Sequence, residues 1–272
     1  MENATYLPAR PKLLGSSRKV EKGRKLRVET GVVYLSPSTE SGRNLCPKAT
    51  AGCAAACLGH NSGQLAMPAS RRSRLWKSRM FTERRREFLE TLARDVRNLE
   101  ARARRARYVP AVRCDGSSDT GIGARLAPMF PQVQFYDYTK VPARALRAAA
   151  GGYSPNYSVT FSRSGENDAD VSRVLCAGGG VAVVFAARPA RKGRVADPIP
   201  ETYVDPITGR SFRVIDGDAS DARFMDRDTF KLGAREGYVV GLRFKAAADR
   251  AGHQVAAGNF VVPVTGPYSV QA

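Results

Sequence analysis

The sequence lacks any long apolar stretch, and this absence excludes a membrane-spanning helix. Such a helix needs about 20 consecutive, mostly apolar residues, and no run of that kind occurs among the 272 residues. The amino-terminal text MENATYLPARPKLLGSSRKVEKGRK also lacks the apolar core of a secretion signal. From these two absences we expect a cytoplasmic protein that has no membrane partner.

Histidine and acidic side chains are scarce as well. The chain has two histidines, and its 25 acidic residues face 44 Lys and Arg, so the formal net charge is +19. The sequence contains no GxxxxGK(S/T) phosphate loop, no HExxH zinc motif and no evident Ser/His/Asp set. The excess of positive charge favours nucleic acid as a partner, although an arginine-rich composition can also reflect a GC-rich genome.

Two basic segments are the expected contacts with nucleic acid, DNA rather than RNA. The first lies in residues 1–27, interpreted as a flexible arm, and the second on a helix predicted for 70–107. The expected contacts are Arg18, Lys19, Lys22, Arg24 and Lys25 in the arm, and Arg71, Arg72, Arg74, Lys77, Arg84 and Arg85 on the helix. A charged helix face is also typical of simple exposure to solvent.

Short apolar strands alternate with helical segments over most of the chain. Strands are predicted at 26–35, 108–114, 133–138, 157–162, 180–186, 213–216 and 238–244. Apolar spacings of three and four predict one helix over 70–107, or two meeting near Phe81, and shorter helices at 142–150 and 165–178. This alternation predicts an α/β fold, a parallel (β/α) barrel or partial barrel. A single barrel-like domain is expected over 28–272, with 187–212 as an insertion loop.

Three of the five cysteines lie close together in the loop that follows the first strand. The text LCPKATAGCAAACLGH places Cys46, Cys53 and Cys57 in a C-x6-C-x3-C spacing, with His60 three residues later. Three thiolates can hold a [4Fe–4S] cluster and leave one iron open, or they can hold Zn²⁺ together with His60. A cytoplasmic chain does not need disulfides, so the sequence predicts a metal centre here. The alternative is that these cysteines are small core residues.

The position of this loop resembles that of the cluster-binding loop of radical S-adenosylmethionine enzymes. In that superfamily, three cysteines follow the first strand of a parallel α/β barrel. The usual spacing there is C-x3-C-x2-C, from which the present spacing departs. The resemblance implies S-adenosylmethionine as a second cofactor.

A series of short motifs resembles the phage Gene Product 88 family. The motifs are LSPS, CPKATAGCAAAC, VRCDGSSD, FPQVQFYDYTK, NYSVTFSRSGEN, VIDGDASDARFMD and VVGLRFKA, in this order, over roughly residues 30–262. The resemblance implies a phage protein that works in the cytoplasm of an infected or prophage-carrying bacterium. It implies no particular reaction.

Polar residues cluster after four predicted strands, where the working residues of parallel α/β barrels are found. Catalytic roles are expected for Asp115, Asp119, Lys140, Arg163, Asp216 and Asp218. Substrate or cofactor binding is expected for Ser117, Ser118, Tyr138, Thr139, Ser162, Ser164, Asn167, Asp221 and Arg223. Each cluster could also be an ordinary turn, since Asp-Gly and Ser-Gly are common turn formers. Together the four clusters predict one pocket.

The chemistry of these residues leaves three functions open. Lys140 and Arg163 could hold a phosphate or carboxylate, while the group Asp216, Asp218 and Asp221 resembles a Mg²⁺ site for phosphodiester cleavage. The first function is an iron–sulfur enzyme of radical S-adenosylmethionine type that modifies a nucleotide or nucleic acid. The second is a replication or DNA-processing protein with structural zinc, with or without Mg²⁺-dependent cleavage. The third is a non-catalytic nucleic-acid-binding protein.

Overall fold

The fold is seen in a computed structural model, which describes residues 11–61, 63–190, 192–245, 258–264 and 269–270. The described strands are β1 (Leu14–Gly15), β2 (Val28–Val33), β3 (Val109–Arg113), β4 (Gln134–Thr139), β5 (Tyr157–Ser162), β6 (Gly180–Phe185), β7 (Thr202–Val204), β8 (Ser211–Asp216), β9 (Tyr238–Arg243), β10 (Val261–Val262) and β11 (Ser269–Val270). The helices are α1 (Arg18–Glu21), α2 (Ala51–Ala55), α3 (Leu58–Asn61), α4 (Pro68–Glu83), α5 (Arg85–Arg105), α6 (Gly123–Leu126), α7 (Pro142–Ala149), α8 (Asp168–Cys176) and α9 (Asp226–Phe230). None of the helices within these ranges is long and apolar enough to cross a membrane.

The strands form one mostly parallel sheet in the order β1-β2-β3-β4-β5-β6-β9-β8-β7-β11, and β10 pairs with β6 beside this path. Every neighbouring pair from β2 to β8 is parallel. At one end β1 pairs antiparallel with β2, and at the other end β7 pairs antiparallel with both β8 and the edge strand β11. The predicted parallel α/β fold is therefore confirmed. The path has two ends, and no pairing between the described strands joins them into a closed barrel.

Helices α4 and α5 cover one face of the first half of the sheet. Phe88, Leu92 and Val96 of α5 are fully buried in the same core as Val112 and Phe135 of the sheet. These helix residues recur every four positions, so they form one apolar stripe. The sequence predicts the break between the two helices near Phe81, and the structure has it at residue 84.

The opposite face of the sheet is covered by the chain that follows β8. Ala222 packs against Val28, Ala111 and Tyr136, which alternate along their strands with the residues facing α5. Asp221 accepts hydrogen bonds there from Arg113 (3.2 Å) and from Tyr136 (3.1 Å). We call this group of polar and apolar residues, which covers the face of the sheet opposite α5, the plug.

Two segments interpreted from the sequence as irregular contain ordered structure. The insertion loop of 187–212 includes β7, whose Tyr203 is fully buried, and the first residues of β8. Residues 1–10 of the arm lie outside the described residues, but from residue 11 the arm packs on α5. Leu13 is fully buried there, and its backbone N–H donates to Asp95 Oδ2 (2.6 Å).

The sheet changes partners next to β6. Strand β5 pairs with the first half of β6 as far as Ser162, and β10 then pairs with the second half through Val261 and Val262. Gly165, at φ 85°, brings the two segments together, because a Cβ at this position would lie 2.6 Å from the backbone of Asn259. We call this junction of β5, β6 and β10 the seam.

Candidate functional site

The cysteine loop, residues 37–69, lies at the carboxyl edge of the sheet. The Thr50 hydroxyl accepts a hydrogen bond from Cys53 N (3.2 Å) at the start of α2 and donates one to Ser164 O after β5 (3.1 Å). Ala56 is buried with Phe244 and Val261 at the seam. The sequence-predicted position of the loop, after the first parallel strand, therefore brings it over the middle of the sheet.

The three thiols of the loop lie in one electrostatic neighbourhood. The pKa of Cys46 is raised to about 11, mainly by burial and in smaller part by the charges of Cys57 and Cys53, while the bond from Ser38 and the Lys140 ammonium act to lower it. Burial also raises the pKa of Cys57. The charge of Cys53 raises this pKa as well, and the Lys140 ammonium lowers it. Charges affect one another in this way only over short distances. The side chains of Cys46, Cys53, Cys57 and Lys140 are thus close enough for their charges to interact.

Backbone N–H groups point at two of the sulfur atoms. Ser38 N donates to Cys46 Sγ (3.2 Å), and the N–H groups of Gly59 and His60 lower the pKa of Cys57 by hydrogen bonding to its sulfur. Such bonds stabilise thiolate charge, and they are among the levers that tune metal–thiolate centres.

Arg74 of α4 is hydrogen-bonded to the backbone of the cysteine loop. Its side chain is 2% exposed and donates to Gly59 O (3.0 Å) and Leu65 O (2.5 Å). Burial lowers the pKa of Arg74, whereas the charges of Glu40 and Cys57 raise it. The guanidinium therefore holds the turn after Cys57 and lies close enough to stabilise a thiolate there.

The thiols are grouped, but they do not enclose an ion-sized site as their side chains stand. Among the residues that the structure describes, no group of three or more His, Cys, Asp or Glu side chains is arranged to hold a metal ion. His60, the predicted fourth zinc ligand, has an exposed side chain. The donor set present near Lys140 is thus three thiols with hydrogen-bond donors around two of them.

Asp115 and Asp119 organise the turn that follows β3. Asp115 accepts from Ser118 Oγ (2.7 Å), from Thr120 N and Oγ1 (both 2.9 Å) and from Gly121 N (2.8 Å). Asp119 accepts from Thr139 Oγ1 (2.8 Å), Lys140 N (2.8 Å) and Arg144 Nη1 (2.7 Å). Their oxygens are thus engaged within the protein, and they fix the backbone of Lys140.

Arg163 is engaged at the seam. Its Nε donates to Asp168 Oδ1 (2.7 Å), its Nη1 donates to Asn259 O (2.5 Å), and the residue is 3% exposed. Beside it, Asn167 Oδ1 accepts from Ser164 N (2.8 Å), and Asn167 Nδ2 donates to Ser162 O (3.1 Å). This cluster fastens the β5 end to the β10 segment.

Of the three aspartates at the end of β8 and after it, Asp216 and Asp218 share the Arg243 guanidinium, and Asp221 lies apart from them. Asp216 accepts two bonds of 2.9 Å from Arg243 Nη1, and Asp218 accepts from Lys245 Nζ (2.7 Å). Asp221 lies instead in the plug with Arg113. Arg223 is also buried there, near Asp226 (3.5 Å). Because the cations already neutralise these carboxylates, this arrangement offers no support for a shared Mg²⁺ site.

The remaining predicted binding residues divide between the two faces of the sheet. Ser117 Oγ donates to Leu35 O (2.6 Å), beside Cys46, whose sulfur lies 4.0 Å from Ser117 O. Tyr138 faces the plug, with the Arg113 guanidinium 4.6 Å from its ring centroid. The structure therefore brings Ser117, Lys140 and Ser164 to the cysteine loop and leaves Tyr138 on the face that the plug covers.

Two of the predicted nucleic-acid contacts are corrected by burial. Arg74 holds the cysteine loop, and Lys77 is 8% exposed with its ammonium bonded to Leu13 O (2.9 Å). Burial lowers the pKa of Lys77 to about 8. The side chains of Arg18 and Lys19 lie outside the described residues. The other predicted contacts, Lys22, Arg24, Lys25, Arg71, Arg72, Arg84 and Arg85, are exposed or half-buried.

Sequence reasoning missed the supporting residues of the site. The sequence predicts a surface position for Arg74, because an arginine-rich helix gives no sign of which arginine is buried. Arg144, which binds Asp119, and Arg113, which binds Asp221, pair across 25 and 108 residues of sequence. Arg113 directly precedes the polar strand end at Cys114, and this position was the one signal that could have pointed to it.

A singly wound, mostly parallel α/β sheet with a three-cysteine loop after its first parallel strand defines the class of this protein. The model of the family described as Gene product 88 matches residues 10–256, most of the chain. The chain therefore belongs to the Gene product 88 family, which confirms the resemblance to this phage family. No curated protein and no solved structure matches the chain.

Proposed function

We propose that this phage protein holds a metal centre on Cys46, Cys53 and Cys57 and uses it to act on nucleic acid or nucleotides. The observation that supports this best is that three thiols of one loop and the Lys140 ammonium lie close enough for their charges to interact. Backbone donors to Cys46 and Cys57 favour the thiolate forms that metals require.

The donor set favours a [4Fe–4S] cluster over zinc. Three thiolates match three irons of such a cluster, whereas four-coordinate zinc needs a fourth ligand, and the candidate His60 is exposed. When bound, the cluster would supply one-electron chemistry at its open iron, with S-adenosylmethionine as the co-substrate that the loop position suggests.

We assign to Lys140 the role of binding the substrate. No hydrogen-bond acceptor for its ammonium lies among the described residues, and the ring centroid of Phe260 is 5.8 Å from it. An ammonium beside the thiols can hold a phosphate or carboxylate of the substrate. Asp115 and Asp119 act as positioning residues for this lysine, and Arg163 acts on the seam.

Metal analysis of anaerobically purified protein tests the proposal. We expect a brown protein that contains iron and sulfide. Cys46→Ala, Cys53→Ala and Cys57→Ala should each lose the metal, and Cys176→Ala is the matched control because Cys176 is exposed on α8. One zinc lost with the same three variants would favour the structural-zinc alternative. Metal content unaffected by Cys46→Ala would overturn the proposal.

Substrate binding is tested separately at Lys140. Lys140→Ala should keep its metal and lose binding of S-adenosylmethionine or of nucleotides, whereas Lys140→Arg should keep part of it. Equal binding by wild type and Lys140→Ala would remove the lysine from the site while leaving the metal centre intact.

A further inference from the structure

The edge of the sheet opposite the cysteine loop carries a group of exposed basic residues. Strands β2 and β3 begin there side by side, with Val28 paired to Val109 and Val109 N bonded to Arg27 O (2.7 Å). The chain approaching each strand is basic and exposed. We call the six residues Arg24, Lys25, Arg27, Arg104, Arg105 and Arg107 the amino-edge surface.

These cations have no acidic partners within the part of the chain that the structure describes. Arg102, which belongs to the same turn of α5 as Arg105, contrasts with them because it bonds Glu29 (2.6 Å). Near the start of the same helix, Arg86 bonds Glu90 (2.8 Å). Six unneutralised cations at one edge produce a local positive potential that attracts phosphates.

A cavity of about 440 Å³ opens within this surface. It is lined by Arg104, Tyr108, Val109, Pro110 and Gln132. Tyr108 is half-buried, Val109 is 42% exposed, and the Arg24 guanidinium lies 6.0 Å from the Tyr108 ring centroid. An aromatic ring, a primary amide and arginines are the groups that stack on a base, bond its edge and bind its phosphate.

Two arginines of the amino-edge surface have an unusual backbone conformation. Arg27 directly precedes β2 and Arg107 lies two residues before β3, and both are in the left-handed region, at φ 54° and 57°. Glycine is the residue favoured at such helix ends. The dipole of α5 accounts for Arg104 and Arg105 in its last turn, but not for Arg107 beyond the helix or for the aromatic cavity.

We propose that the amino-edge surface binds single-stranded nucleic acid, with one base against Tyr108 and the adjoining phosphates on the arginines. This proposal extends the nucleic-acid part of the proposed function and is independent of the metal centre, which lies at the other edge of the sheet. A single strand is favoured over a duplex because only an unpaired base can enter the cavity.

Fluorescence anisotropy of the full-length protein with labelled dT12 and rU12 tests the proposal. Tyr108→Ala should weaken binding roughly tenfold, since stacking of one base is worth about that factor, and Tyr108→Phe should bind like wild type. Arg104→Gln and Arg107→Gln should each lower the slope of log affinity against log salt by about 0.7. Arg86→Gln removes the same charge from α5 outside the surface and should leave both quantities unchanged.

Three results would overturn the proposal: equal affinity of wild type, Tyr108→Ala and Gln132→Ala; equal loss in Arg86→Gln and Arg107→Gln; or tighter binding of a matched duplex. Circular dichroism identifies any variant that fails to fold. If Tyr108→Ala does not fold, the affinities of Gln132→Ala and Arg107→Gln decide whether the proposal stands. Comparison of dT12 with rU12 identifies the sugar preferred. Loss of metal in Cys46→Ala with unchanged anisotropy separates this surface from the cysteine site.

Discussion

At the scale of single residues, the cysteine site is a balance between burial and charge. Burial opposes ionisation of Cys46 and Cys57, while Lys140 and the backbone donors favour it. Without a metal, burial outweighs these donors, and the pKa of Cys46 reaches about 11. A bound cation would reverse the balance, because a metal removes the proton from a coordinating thiol.

The raised pKa of Cys46 predicts how the metal-free protein responds to alkali. The unfolded chain ionises this thiol near pH 9, so the contribution to stability is complete below pH 9 and is lost as the pH rises to about 11. Urea unfolding at a series of pH values should show this loss in wild type and a smaller one in Cys46→Ala. Cys176→Ala should follow wild type, and an identical pH profile in Cys46→Ala would contradict the assignment.

Replacement of Arg74 should weaken the site through the loop. Arg74→Gln removes the charge near Cys57 and at least one of the bonds to Gly59 O and Leu65 O. We expect slower alkylation of Cys57 at pH 8, because its pKa rises further, and lower metal content. Arg74→Lys should keep the charge and recover part of the alkylation rate. Arg72→Gln, on the exposed side of α4, is the control.

At the scale of elements, the seam connects the end of the chain to the cysteine loop. Val261 of β10 is 6% exposed and packs against Ala56 of the loop and Phe244. The sheet neighbours of β10 lie in β6, so the packing of Ala56, which directly precedes Cys57, depends on segments distant in sequence.

Shortening Val261 should therefore affect both stability and the thiols. Val261→Ala removes two buried methyl groups, and we expect a loss of about 2 kcal/mol in the free energy of unfolding. Alkylation of Cys53 and Cys57 should become faster as their packing loosens. Val195→Ala, at a residue 85% exposed, should change neither quantity. Destabilisation without any change in alkylation would separate the seam from the cysteine loop.

The strands that could be predicted from the sequence are those with enough apolar or alternating residues to define a period. β5 spans the predicted residues 157–162, and β3, β4, β6 and β9 differ from prediction by a residue or so at their ends. The short strands β1, β7 and β10 have two or three residues, too few for a pattern, and their partners decide their conformation. The sequence predicts the ends of β3, β4, β5, β6 and β9 to within a residue or so, but it does not predict which residues bind the side chains at those ends. Asp119 reads as a free carboxylate in the sequence because Arg144, which neutralises it, lies one strand later.

At the scale of the whole molecule, the amino-terminal segment belongs to the packed structure from residue 11 onward. Leu13 and Val20 are buried, and the carboxylate of Asp95 on α5 accepts the N–H of Leu13. The basic residues of 11–27 concealed this packing, because they suggest a solvated arm, while the apolar residues between them are few.

Leu13→Ala should destabilise the whole domain. Deleting a fully buried leucine side chain costs about 2–5 kcal/mol, and Lys77 loses packing around the carbonyl that it binds. Leu26→Ala, in the same segment but at a residue 42% exposed, should cost less than 1 kcal/mol. Thermal unfolding measures both variants. Equal melting temperatures of Leu13→Ala and wild type would mean that the segment is not part of the cooperative unit.

The seam also determines when, during synthesis of the chain, the cysteine loop can complete its packing. Cys57 is synthesised long before Val261. While the chain is still growing, the three cysteines are therefore already present, but Ala56 lacks the β10 residue against which it packs. Until synthesis passes β10, those thiols remain open to oxidants and to scavenging metals in the host. We therefore expect the cysteine loop to reach its final packing only after β10 has been synthesised.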